Sequence, residues 1–320
     1  MSVFLYILTY NIIPIFTLIT LGYIMGKKFQ LDIYTLSKIN FYIYVPLFVF
    51  VNLYTTTIPF EMLKALVFAT CMLVLHLILG KVLSCIFHFD QRMENAFTNS
   101  IAFYNSGNIG VPLITLVFSS MPFVINGETP YLNLALTTQI MVLVVQNIST
   151  NTLGFFNAGR ATLHWKDSIA KILRMPTIYA IPLALILKTL PYDLTKFPLW
   201  PAFTYAKNGL ISVALITLGV QLSRTTFDFT QKKVYLSVVT RLIGGPILAL
   251  FLIYLFRFEG IVAQTLMISS GVPTAVNSAL IAVEYDNCPD FASQAVLLST
   301  LLSAISLSVV IFAARMLFPI

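Results

Sequence analysis

A chain of 320 residues that is 58% hydrophobic and only 10% charged lies far from the roughly 25% charged of a soluble domain, which excludes a water-soluble enzyme or binding module. The formal net charge of +7 does not indicate nucleic acid, because the Lys and Arg are scattered in short segments between apolar stretches rather than gathered in one patch. Cys71, Cys85 and Cys288 give neither a disulfide framework nor metal-ligand spacing, so no cofactor or metal is expected.

A helix needs about 20 mostly apolar residues to cross the ~30 Å hydrocarbon core. Apolar runs between polar breaks predict ten spans, near 5–26, 33–53, 62–87, 96–118, 131–156, 172–190, 201–222, 234–256, 261–283 and 292–316. The first has no charged segment ahead of it, is too long for a signal peptide and runs into Lys27 and Lys28, so it is expected to be retained. Its Gly22 and Gly26, spaced as GxxxG, predict close packing against a neighbouring helix. His76, alone in the third span, reads as a hydrogen-bonded structural residue rather than a proton relay.

The fourth span carries Asn105-Ser106-Gly107-Asn108-Ile109-Gly110-Val111-Pro112, and the ninth carries Ser269-Ser270-Gly271-Val272-Pro273-Thr274-Ala275-Val276-Asn277. Glycine and proline remove helical hydrogen bonds, and in hydrocarbon each unsatisfied backbone group costs several kcal/mol, so a break at mid-membrane has to line something. Proline is tolerated in the first turn of a helix, so Pro112 and Pro273 are each expected to open a second half-helix, with its positive dipole end near the bilayer centre. Paired discontinuous helices of this kind are the best sequence pointer to a transporter binding site, one suited to an anion. The expected substrate contacts are Asn105, Ser106, Asn108, Gly110, Pro112, Ser270, Gly271, Pro273 and Asn277. Gln139, Gln146 and Asn147 of the fifth span serve equally well as contacts between helices or to substrate.

The two clusters occupy matching places. Pro14 also has a counterpart in Pro176, and Thr138-Gln139 loosely matches Ser293-Gln294. The expected fold is therefore all-α and polytopic: a five-helix repeat over 1–156, a cytoplasmic connecting loop over 157–171 and an inverted five-helix repeat over 172–320. Loops after the odd-numbered spans collect most of the Lys and Arg, among them Lys27, Lys28, Arg92, Arg160, Lys166, Lys171, Lys232 and Lys233. That side should be cytoplasmic, which puts both termini outside a cell membrane.

All twelve Asp and Glu fall in predicted loops or at span ends. Lys207 and Arg241, six or seven residues inside their spans, read as cations that snorkel to the interface; a sharper reading has them draw an anion inward. His76, His88 and His164 have no nucleophile or metal partner at a recognisable spacing, and there is no HExxH or GxSxG, so an intramembrane enzyme is not expected.

The Asn105–Leu113 and Val272–Leu280 runs, with the following Glu284-Tyr285-Asp286-Asn287-Cys288-Pro289-Asp290, resemble the auxin efflux carrier family. That family includes plant PIN exporters and bacterial permeases associated with malate, malonate and related carboxylates. The resemblance covers essentially the whole chain and, without a long central hydrophilic loop, is to the compact bacterial type. It implies crossing broken helices at spans 4 and 9, with a carboxylate held near Asn105, Pro112, Pro273 and Asn277 by asparagine and backbone amides. It also implies elevator motion against a scaffold of spans 1, 2, 6 and 7. The partners so implied are a small organic anion and the bilayer; a coupling proton or sodium ion and a homodimer stay open. A sodium-coupled symporter or cation/proton antiporter of similar fold ranks second, because no acidic side chain stands beside the broken helices. A membrane sensor without flux ranks below it.

Overall fold

Hydrocarbon offers backbone groups no partner, so a long apolar chain must satisfy them internally. The described chain does this with helices; two isolated bridges are its only β pairing. The computed structural model describes residues 3–29, 31–56, 61–159, 173, 176–225, 228 and 230–320. In chain order the helices are α1 (Phe4–Phe29), α2 (Ile33–Thr55), α3 (Met62–Ile86), α4 (Gln91–Ala102), α5 (Ser106–Phe118), α6 (Leu132–Ala158), α7 (Pro176–Lys188), α8 (Trp200–Leu222), α9 (Lys232–Phe256), α10 (Gly260–Ser270), α11 (Val276–Glu284) and α12 (Pro289–Leu317).

Among the described residues, seven of these helices, α1, α2, α3, α6, α8, α9 and α12, are long and apolar enough to cross a membrane. The other five are short. The predicted spans at 96–118 and 261–283 are each two helices, α4 with α5 and α10 with α11. Of the predicted sixth span, residues 173 and 176–190 are described, with helix over Pro176–Lys188, and residues 160–171 of the predicted connecting loop lie outside the described residues.

Local chemistry explains several helix features. The Asp32 carboxylate accepts the Tyr34 and Thr35 N–H groups and so opens α2. Four helices carry a wide π turn that stops two residues short of a proline: Leu8–Ile12 before Pro14, Asn40–Tyr44 before Pro46, Ser106–Gly110 before Pro112, and Thr240–Gly244 before Pro246. Proline has no N–H and its ring collides with the carbonyl four residues earlier, and widening the preceding turn relieves that collision without ending the helix. The widened turns hold Asn11, Asn40 and Arg241, all buried.

The helices form two packed groups. α1 and α8 touch backbone to backbone: a Cβ at Gly22 would stand 2.2 Å from the Ile216 carbonyl oxygen, and one at Gly219 2.0 Å from that of Ile19. Gly22 and Gly26 thus accommodate α8, the close packing that their spacing predicts. α8 also packs on α2, and α2 on α7. In the second group α3 packs on α4, α6 and α9, while α12 packs on α9, α10 and α11. Exposed Tyr235, Val239, Ile243, Ile247 and Phe251 form a stripe at four-residue spacing on α9, the face a helix turns to lipid.

Candidate functional site

The breaks in the two split helices satisfy one another. Phe103–Asn105, between α4 and α5, runs antiparallel to the segment between α10 and α11, with Tyr104 opposite Thr274. The Asn105 N–H donates to the Pro273 carbonyl at 2.8 Å, and the Ala275 N–H to that of Phe103 at 2.8 Å. The Thr274 hydroxyl donates to the Ser100 carbonyl at 2.8 Å, and the Thr274 N–H to the Ser299 hydroxyl at 3.2 Å. Extended backbone is affordable at this depth because each strand supplies the other's partners.

One expectation needs correction here. Pro112 does not open the second half-helix of span 4; it lies within α5, while Ser106 starts that helix and Asn105 caps it, accepting the Asn108 N–H on Oδ1 at 3.1 Å. An Asn cap supplies the acceptor that a proline cannot, and the π turn lets Pro112 sit inside the helix. Nor does Pro273 open the second half-helix of span 9: it lies in the extended segment, and α11 begins three residues later at Val276.

A small cavity abuts this crossing. Asn105, Ser106, Gly107 and Asn108 line it from the start of α5, Val276 and Asn277 from the start of α11, and Phe41, Val45, Leu143 and Asn147 from α2 and α6. The first turns of two helices, where N–H groups lack intrahelical partners, therefore border one space. Asn105 is 5% exposed. Its Oδ1 is committed to the cap, which assigns the other atom as the amide nitrogen, and that buried Nδ2 has no partner. No charged side chain lines this cavity among the described residues.

Of the residues predicted to meet substrate, Asn105, Ser106, Asn108 and Asn277 line the cavity; Gly110, Pro112, Ser270, Gly271 and Pro273 do not. Gly110 instead makes room for Gln139, whose Nε2 would lie 2.5 Å from a Cβ there and donates to the Ser106 carbonyl at 2.8 Å. Gly271 packs against Val310, and the Ser270 hydroxyl donates to the Met267 carbonyl. Gln146 accepts the Tyr104 N–H at 3.2 Å, so it supports the break, and it also lines the cavity. Asn147 reaches the cavity.

A wider cavity of about 370 Å³ shares Phe41, Asn147 and Asn277 with the first and continues past Tyr34, Lys38, Phe155 and Glu284. It lies toward the end of the bundle that carries the α2 and α7 N-termini and the α6 and α11 C-termini.

Two contacts escaped the sequence reading. Asn40 of α2 donates to the Asn108 side chain at 3.0 Å, joining the two helix groups at the cavity. Arg241 does not snorkel. It is 0% exposed, and its guanidinium donates to the Ile101 carbonyl at 2.8 Å and to the Ser270 carbonyl, with Tyr104's ring centroid 4.5 Å away. His76 Nδ1 meets the Met72 carbonyl at 2.7 Å and Nε2 meets Arg241 at 3.2 Å. A carbonyl only accepts, so Nδ1 bears the proton and Nε2 receives the arginine N–H: a structural histidine, as the sequence suggests. Lys207 is half-buried and lines neither cavity.

Comparison with known proteins agrees with this architecture. The chain is 22% identical over 312 residues to a protein of Methanothermobacter thermautotrophicus (strain Delta H) described as an uncharacterized transporter, covering 93% of this chain and 96% of that protein. The family described as "Membrane transport protein" matches residues 7–311. A match over nearly the whole chain, on a multi-pass helical membrane protein, makes this protein a member of that membrane transport family, the auxin efflux carriers.

Proposed function

We propose that this protein is a secondary transporter that moves a small organic anion, a carboxylate, by alternating access. The observation that carries this reading is the Asn105 amide: a buried N–H donor without a partner, on a residue that lines a cavity bordered by two helix N-termini. A carboxylate supplies the acceptor, and each dipole end favours it by about 0.3–1 kcal/mol when exposed and up to about 2 when partly buried. Phe41, Val45, Leu143 and Val276 suit an apolar body on that carboxylate. Amides without a fixed cation hold one negative charge loosely enough for release, which favours a monocarboxylate over a tricarboxylate.

In this reading the chain is a ten-span, five-plus-five inverted repeat with α4–α5 and α10–α11 as crossover helices. α1, α2, α7 and α8 are the scaffold against which the other group rides as an elevator. The wide cavity lies toward the end of the bundle where α6 ends and α7 begins, which in this reading is the cytoplasmic side, where Lys and Arg concentrate, so the state is open to the cytoplasm. Cysteines placed in that loop should resist membrane-impermeant thiol reagents in intact cells; ready labelling would reverse the orientation.

The test of function is a thermal-shift screen of purified protein against mono- and dicarboxylates, followed by flux in proteoliposomes. A ligand at 100 times its dissociation constant should stabilise by about 2.7 kcal/mol. Uncharged amides of the same acids should give no shift. A panel without any shift, together with no carboxylate flux, would reject the proposal.

A further inference from the structure

The buried Arg241 is placed where a transporter of broken helices needs a cation. Ile101 is the penultimate residue of α4 and Ser270 the last of α10, so the carbonyls that Arg241 binds are the C-terminal ends of both leading half-helices. Each such end carries about half a negative charge in partial charges on carbonyls that lack intrahelical donors. Two of them converging in a low-dielectric interior repel, and carbonyls at half-helix C-termini are the ligands with which broken-helix transporters hold a sodium ion. Among the described residues no carboxylate pairs with Arg241, so its charge answers to the carbonyls, the Tyr104 ring face and the His76 imidazole.

The site is built for this guanidinium. A Cβ at Gly245 would stand 2.3 Å from an arginine nitrogen and 2.7 Å from the Ser270 carbonyl oxygen, so glycine one turn along α9 leaves the space that the side chain fills. His76 is fixed by Met72 with its acceptor nitrogen toward the arginine. Tyr104, which stacks on the guanidinium, also lines the cavity. A single residue, Tyr104, thus contacts the cation and borders the cavity.

We propose that Arg241 is a tethered cation that replaces a dissociable one: it holds the two half-helix C-termini together, and the crossing needs no bound sodium. Arg241 is a positioning residue, one helix junction away from the substrate. The inference extends the transport reading to the coupling ion, but its test reads the crossing itself and so stands or falls separately from carboxylate binding.

The test is the apparent melting temperature of purified full-length protein in sodium, choline or guanidinium chloride at equal ionic strength. Wild type should melt within about 1 °C in all three. Arg241→Met should melt about 5 °C or more lower in choline, which in a chain of this size corresponds to about 3 kcal/mol, and should recover part of the loss in guanidinium or sodium. Arg241→Lys should stay much closer to wild type than Arg241→Gln, because charge and not length is what the carbonyls require. If Arg241→Met does not fold in any salt, the Lys and Gln pair decides. Stabilisation of wild type by sodium, or equal melting of the Lys and Gln variants, would overturn the proposal.

Discussion

Asn105→Asp is expected to lower carboxylate affinity at least a hundredfold at neutral pH while leaving the fold intact. The substitution keeps an oxygen to accept the Asn108 N–H, so the cap of α5 survives. It replaces the unpartnered amide nitrogen of this cavity-lining residue with a second oxygen. The substrate then loses a hydrogen bond worth about 1.5–3 kcal/mol to a charged group. It also meets a like charge, which at 4 Å and an effective dielectric of 20 costs about 4 kcal/mol. Every 1.4 kcal/mol is tenfold in affinity, so a hundredfold loss is the lower bound. Asn105→Ala should cost about 1.5–3 kcal/mol of binding and, through the lost cap, about 0.5–2 kcal/mol of stability. Asn277→Ala, on the α11 side of the same cavity, should lower affinity without a capping penalty. Titration at two pH values separates repulsion from a carboxyl that burial keeps neutral, since a protonated Asp would restore a donor. Wild-type affinity in both Asn→Ala proteins would move the site elsewhere.

Much of this architecture is legible in the sequence because hydrocarbon punishes any departure from helix. The long spans follow from apolar length, and the position of the crossing follows from Gly, Pro and Asn clustering twice at matching places. What the clusters do not disclose is which residue opens each half-helix. Proline suits both a first turn and, behind a π turn, a helix interior, so Pro112 alone does not distinguish the two; Asn105 settles it through a side-chain bond that depends on the fold. Similarly, Gly110 and Gly271 sit in the motif for the neighbours they admit, Gln139 and Val310. Arg241 is misread if depth alone is considered. The signal that corrects it is the apolar stripe Tyr235, Val239, Ile243, Ile247, from which 241 is absent, so that arginine has to face protein. Asn40 gives no signal beyond being polar in an apolar run, because its meaning lies in Asn108, 68 residues away.

That last contact provides the sharpest test of movement. Asn40 belongs to α2, in the group built on the α1–α8 backbone contact, while Asn108 belongs to α5, in the group that contains the crossing. If the second group carries the anion past the first, the two side chains must separate in every cycle. Freezing them together would then stop flux without removing the site. In a background with Cys71, Cys85 and Cys288, all unpaired thiols, replaced by Ser, Asn40→Cys with Asn108→Cys should be bridged by mercuric ion, since the native side chains already meet at 3.0 Å. Asn108 lines the cavity, so the reduced double mutant, and not wild type, is the reference for both measurements. Bridging should bring carboxylate flux in proteoliposomes to background, and a dithiol should restore it. The thermal shift that the same carboxylate gives in the reduced double mutant should persist in the bridged protein, because the bridge leaves the crossing, Asn105 and Asn277 in place. Undiminished flux with the bridge in place would mean that α2 and α5 stay together throughout the cycle, and access would then have to alternate by local gating around a stationary crossing.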